Sequence, residues 1–107
     1  MKPRIRYIES KAKLAGGEAW IGRVTFSKSG QTIYYRGRTF HKIPGGGFKS
    51  NYYDESSKDE FWISGAKKNG TDRLYGERVP IHIDEDVREE YWTSIRELPD
   101  EKEGKTA

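Results

Sequence analysis

Between positions 23 and 49, Arg23, Arg36, Arg38, Lys42 and Lys49 are interleaved with Tyr34 in a stretch without an acidic residue. Guanidinium and ammonium groups beside phenol rings can neutralise phosphates and stack bases. These six residues are the candidate anion- or nucleic-acid-binding set. The RNP aromatic signature of an RRM does not accompany them. The same charges also fit two structural roles: the positive half docks against the acidic C-terminal helix, or it forms a solvated, solubilising face.

Other chemistry is thinner. The stretch Ile43-Pro44-Gly45-Gly46-Gly47-Phe48-Lys49-Ser50 ends in Lys-Ser, but a Walker loop needs Gly where Phe48 and Ile43 stand. A flexible hairpin connection is the simpler expectation. His41 and His82 lie far apart without metal-ligand spacing, so each reads as a sheet-face residue. No Ser-His-Asp arrangement can be assembled, and the acidic clusters at 54–55, 59–60 and 84–86 fit a loop and a helix start. The expectation is no catalytic residue, no metal, no cofactor and no enzyme. With no Cys, thiolate zinc sites, disulfides and cysteine nucleophiles are excluded. The aromatic residues Tyr53, Trp62 and Trp92 supply an alternative protein-interaction surface if their rings are exposed, unless the C-terminal helix covers them.

The elements that must position these groups are short. Charged residues are 35% of the 107 and hydrophobic ones 33%, but the charges nearly cancel and 14 aromatics offer packing surface, so a folded domain is expected. Arg4 to Ile8 and Ala19 to Ser27 read as strands, the second with Trp20, Gly22, Val24 and Phe26 on one face and Arg23 and Thr25 on the other. Gln31 to Arg36 returns from a turn at 27–30, and Gly37 bends or bulges it into Arg38 to Ile43. On that continuity Tyr34, Arg36 and Arg38 share the outer face with Arg23. Lys49–Asp54 and Glu60–Ser64 form a second hairpin. Asn69-Gly70 predicts a type I′ turn between Ile63–Lys67 and Thr71–Tyr75, and Val79–Ile83 is the last strand.

Val87, Tyr91, Ile95 and Leu98 then recur at helical spacing, predicting a helix over about 85–98, with Asp84 or Asp86 as the cap, the choice of Asp86 placing Glu89 to complete a capping box. Residues 100–107 read as a frayed polar tail. The expectation is one domain over 1–99, mainly β, a small antiparallel meander or SH3-like barrel with one C-terminal helix packed on it.

Charge is segregated along the chain: residues 1–50 carry a net +9, 51–83 a net −1 and 84–107 a net −5, together +3. There is no membrane-length apolar run and no signal-peptide pattern, so the expected location is cytoplasmic. The expected partner is anionic, with nucleic acid the first candidate, or else a protein, and no membrane.

One resemblance spans roughly residues 4 to 98. Thr32-Ile33-Tyr34-Tyr35-Arg36-Gly37-Arg38-Thr39-Phe40, Asn51-Tyr52-Tyr53-Asp54, Phe61-Trp62-Ile63-Ser64-Gly65 with Lys67-Lys68, and Ile83 through Trp92 together resemble a family of small bacterial proteins of no assigned activity. Its members often carry the label 1-deoxy-D-xylulose-5-phosphate synthase. That synthase holds magnesium and thiamine diphosphate through Gly-Asp-Gly followed by Asn, and no Gly-Asp-Gly occurs here. The resemblance implies a family and a bacterial origin, and no catalytic residue.

Overall fold

The chain is built on tight turns that return one strand beside the last. In the computed structural model, which describes residues 2–11, 17–45, 50–73 and 79–107, seven strands form one sheet: β1 Arg4–Ser10, β2 Ala19–Phe26, β3 Thr32–Tyr35, β4 Arg38–Lys42, β5 Tyr52–Asp54, β6 Glu60–Gly65 and β7 Ile81–Ile83. The order β1-β6-β5-β4-β3-β2, with β1 also paired to β2, closes six antiparallel strands into a barrel. The expected mainly β fold with one C-terminal helix is the one observed.

Arg36 and Gly37 both have positive φ, 49° and 75°, and Tyr35 pairs directly with Arg38. This is a two-residue hairpin of the I′ kind, in which glycine at the second position removes the Cβ clash. It corrects the expectation that Gly37 bulges a continuing strand. The 55–59 loop is closed by Asp54, whose Oδ1 accepts the N–H groups of Ser56 and Ser57.

Alternation along the strands makes two cores. Ile8, Val24, Ile33, Tyr35, Phe40, Phe61 and Ile63 fill the barrel, with the Phe40 and Phe61 rings edge-on at 4.8 Å. Ile5, Tyr7, Ala19 and Ile21 face outward and are covered by β7 and the helix through Ile81, Ile83, Val87, Tyr91 and Trp92. β7 lies parallel to β2, pairing Ala19 with Ile81 and Ile21 with Ile83.

The helix, α1, spans 85–95 rather than reaching 98. Its N-cap residue is Asp84, whose carboxylate makes no capping bond, so the box built on Asp86 does not form. The last turn widens, with the Arg96 N–H bonded to the Tyr91 carbonyl five residues back. Tyr91 and Trp92, adjacent in this π-type segment, both lie in the outer core with their rings edge-on at 5.1 Å. Glu97 then takes φ 54° and Leu98 leaves the stripe, 42% exposed.

The structure also corrects the 69–70 turn and the tail. At Asn69-Gly70 only Gly70 has positive φ. Asn69 Oδ1 instead accepts the Thr71 N–H, and the Asp72 carboxylate accepts the Lys67 N–H, so a side-chain-closed turn replaces the ladder. Residues 71–73 are not in a strand, and 74–75 of the expected partner lie outside the described residues. The tail is not frayed: Ile83 N–H bonds to the Lys105 carbonyl and Ala107 N–H to that of Ile81, along the free edge of β7. Among the described residues no helix is long and apolar enough to cross a membrane.

Candidate functional site at the two ends of the barrel

The two-residue turn decides where the expected site residues go. Directly paired residues share a face, so Tyr34 goes outward with Thr25 and Thr39, whereas Arg38 goes with Tyr35 to the inner side. Arg38 and Lys42 lie on the face of Phe40, and Arg36 is a turn residue. The single outer surface expected for Arg23, Tyr34, Arg36, Arg38 and Lys42 is therefore not formed. Arg23 and Tyr34 stand on the outer wall, while Arg36 and Arg38 rim the end bearing the 36–37 and 55–59 loops, here the upper end. Lys42 rims the lower end, where β1 begins and β4 stops. Lys49 lies outside the described residues.

At the upper end and on the wall each arginine meets a carboxylate. Arg23 Nη2 is 2.9 Å from Glu90 on the helix, and Arg36 pairs with Asp84. Arg38 Nη1 lies 3.7 Å from Asp54 Oδ2. Asp84 is the centre of a small joint. The β2–β3 pairing covers only Thr25–Phe26 against Ile33–Tyr34, so the strands part above it. Asp84 is anchored beside that gap by its N–H to the Ile21 carbonyl, and its carboxylate accepts the Tyr35 hydroxyl at 2.5 Å and the Arg36 guanidinium. Gly22 makes room: a Cβ there would lie 2.5 Å from Asp84 Oδ2 and 2.8 Å from the Tyr35 hydroxyl oxygen. Burial, then the donated bond to Asp84, pushes the Tyr35 phenol far above its usual range.

Beside this joint a cavity of about 260 Å³ opens at the upper end, with Ile8, Phe40 and Phe61 at its base, Trp20 and Tyr35 as walls and Arg36 and Arg38 at its rim.

The lower end differs. Lys2, Arg4, Arg6, Lys28 and Lys42 come from the N-terminal strand, the β2–β3 turn and β4, and none forms an ion pair with a described carboxylate. Burial and the neighbouring Arg4 charge lower the pKa of Arg6. Its guanidinium lies 5.6 Å from the centroid of Phe26, and Tyr52 is half-buried and paired with Lys42. Arg4 and Arg6 are not among the residues the sequence singles out, because a short strand accounts for them. The signal that could have found them is Met-Lys-Pro-Arg-Ile-Arg, where basic residues alternate with others.

The aromatic alternative loses most of its exposure. Trp92 is 6% exposed and donates its indole N–H to the Gly104 carbonyl, and Trp62 packs against the outer core. Tyr53 is half-buried beneath Lys58 and beside His41. His41 meets Glu55 at 2.8 Å, His82 is exposed on β7, and the described residues contain no cluster of His, Asp and Glu able to hold a metal ion. No family model matches the chain, and no curated protein and no solved structure matches it either.

Proposed function

We propose that this protein is a non-catalytic binding module whose lower barrel end holds an extended polyanion, single-stranded nucleic acid being the chemistry that fits. The reading rests on one observation: the cations Lys2, Arg4, Arg6, Lys28 and Lys42 converge there without a carboxylate partner among the described residues, while Arg23, Arg36 and Arg38 elsewhere on the barrel are paired. Like charges gathered without counter-charge repel, and an arriving phosphate chain relieves that repulsion and releases its own counterions. The cations come from separate segments around the barrel end, which suits several phosphates in a row better than one small ion. Tyr52 and Phe26, half-buried at the same end, offer ring faces to bases.

The test is fluorescence anisotropy with a labelled short oligothymidylate or oligouridylate at low and at physiological salt. Binding should weaken with salt at a log–log slope of about −0.7 per phosphate contacted. The variant Arg4→Glu/Lys42→Glu should lose at least about tenfold in affinity. Arg36→Glu/Arg38→Glu should retain affinity within roughly threefold, because its charges are already answered within the chain. No binding at low salt, or equal losses in the two variants, overturns the proposal.

A further inference from the structure

We propose that the upper cavity is a separate site for a small planar organic anion: one aromatic ring system carrying a single carboxylate or phosphate. The cavity, about 260 Å³, lies just below the ~300–1,000 Å³ of pockets for larger ligands. Its base and walls are apolar and aromatic, with Trp20, Tyr35, Phe40 and Phe61 around Ile8, surfaces against which a flat ring stacks.

The head group is set by Arg38. Its guanidinium lies 5.7 Å from the centroid of Phe61, and Asp54 at 3.7 Å is too far for a hydrogen bond. Arg38 is thus held at the mouth by a ring face and a loose ion pair while its fork of donors makes no hydrogen bond to a described residue. That fork matches the two oxygens of a carboxylate or phosphate. Arg36, by contrast, is engaged by Asp84 at the rim.

Acidic neighbours limit the ligand to one anionic group. The cavity shares Trp20, Arg38 and Phe61 with an adjoining cleft of about 200 Å³ that Glu18 and Asp59 also line. A second phosphate continuing into the cleft would meet those carboxylates. The upper site therefore selects against the polyanion assigned to the lower end, and neither assignment depends on the other.

Indole N–H resonances of 15N-labelled protein read the site directly, with Trp20 assigned through Trp20→Phe. The probes are 2-naphthoate, 1-naphthyl phosphate and the uncharged 2-naphthalenemethanol, titrated to roughly millimolar concentration. The two acids should shift the Trp20 signal saturably while Trp62 and Trp92 stay still, and the alcohol should bind at least about tenfold more weakly. Arg38→Gln, exposed enough to leave the fold intact by its urea midpoint, should weaken the acids about tenfold. Arg4→Glu/Lys42→Glu should bind them as the parent does, which separates this site from the lower one. Tighter binding of one acid supports the site and names its head group. No saturable Trp20 shift with either acid, an Arg38→Gln variant that binds as the parent does, or an alcohol as tight as the acids overturns the proposal.

Discussion

The two ends of the barrel are built from the same kind of residue and do opposite things with it. At the upper end Arg36 and Arg38, with Arg23 on the adjoining wall, are answered by Asp84, Asp54 and Glu90, all contributed by other segments of the chain. At the lower end Arg4, Arg6 and Lys42 form no ion pair with a described carboxylate, and the charge of Arg4 lowers the pKa of Arg6. Local composition does not separate the two, since Arg38 and Lys42 are four residues apart on one strand. Topology does: Asp54 before the 55–59 loop and Asp84 before the helix are brought to Arg38 and Arg36, while the N-terminus and the β2–β3 turn bring only cations to the lower end. The lesson is that a basic stretch becomes an unpaired surface or an internal scaffold according to which end of each strand meets the acids.

The sharpest way to break the contrast is to undo the joint that makes the upper end self-sufficient. Gly22→Ala places a methyl group against Asp84 and Tyr35, and overpacking at such a site costs about 1–3 kcal/mol. Asp84→Ala leaves the buried Tyr35 hydroxyl without its acceptor, at about 1–3 kcal/mol. Because the added methyl and the removed carboxylate occupy the same space, the double variant should cost less than the two single changes together. Urea unfolding of the four proteins measures this, and strict additivity would show that Gly22 does not serve the joint.

The alternation that identifies the barrel interior was readable in the sequence: Trp20, Gly22, Val24 and Phe26 do share one face, and Arg23 and Thr25 the other. The failures trace to single residues whose side chains choose a partner distant in sequence. Arg36 enters positive φ, so the strand reverses and Arg38 changes face. Asp84 stands at the helix N-cap, but its carboxylate goes to Tyr35 and Arg36, 49 and 48 positions away, instead of its own helix. Asn69 satisfies Thr71 and thereby avoids the I′ turn. The tail looked polar and free because its pairing is made by backbone groups to β7, which side-chain pattern does not reveal. The cavity was illegible for the same reason, since its lining comes from β1, β2, β3, β4, β6 and the turn at 36.

Alkaline pH tests the upper joint without a mutation. Burial and the bonds to Asp84 and Glu9 raise the phenols of Tyr35 and Tyr7 far above their usual 10.0. The folded state keeps those protons while the unfolded chain sheds them. The stability they contribute is therefore complete below pH 10 and falls as pH rises beyond it, by about 1.4 kcal/mol per pH unit for each tyrosine. Tyr35→Phe should lower stability at neutral pH and flatten this alkaline slope by one proton's worth. Tyr52→Phe at the lower end should flatten it less, because Arg6 opposes the effect of burial there. Urea midpoints between pH 8 and 11 decide it, and a slope unchanged by Tyr35→Phe would remove that residue from the joint.

The smallest expected effect carries the comparison in its sign. Arg23 and Glu90 form a pair that is 37% and 50% exposed, so solvent screening leaves it worth roughly 0.2–1 kcal/mol. Arg23→Gln should lower the urea midpoint by that small amount at low salt and by less at high salt. Arg4→Gln removes a charge whose near neighbour is the like-charged Arg6, so it should leave the midpoint unchanged or raise it slightly at low salt while weakening oligonucleotide binding. A surface held for a partner relaxes when its charge is diluted, and a surface that holds the fold loosens. If Arg4→Gln destabilises the protein as Arg23→Gln does, the lower cations are structural and the difference between the two ends is one of degree.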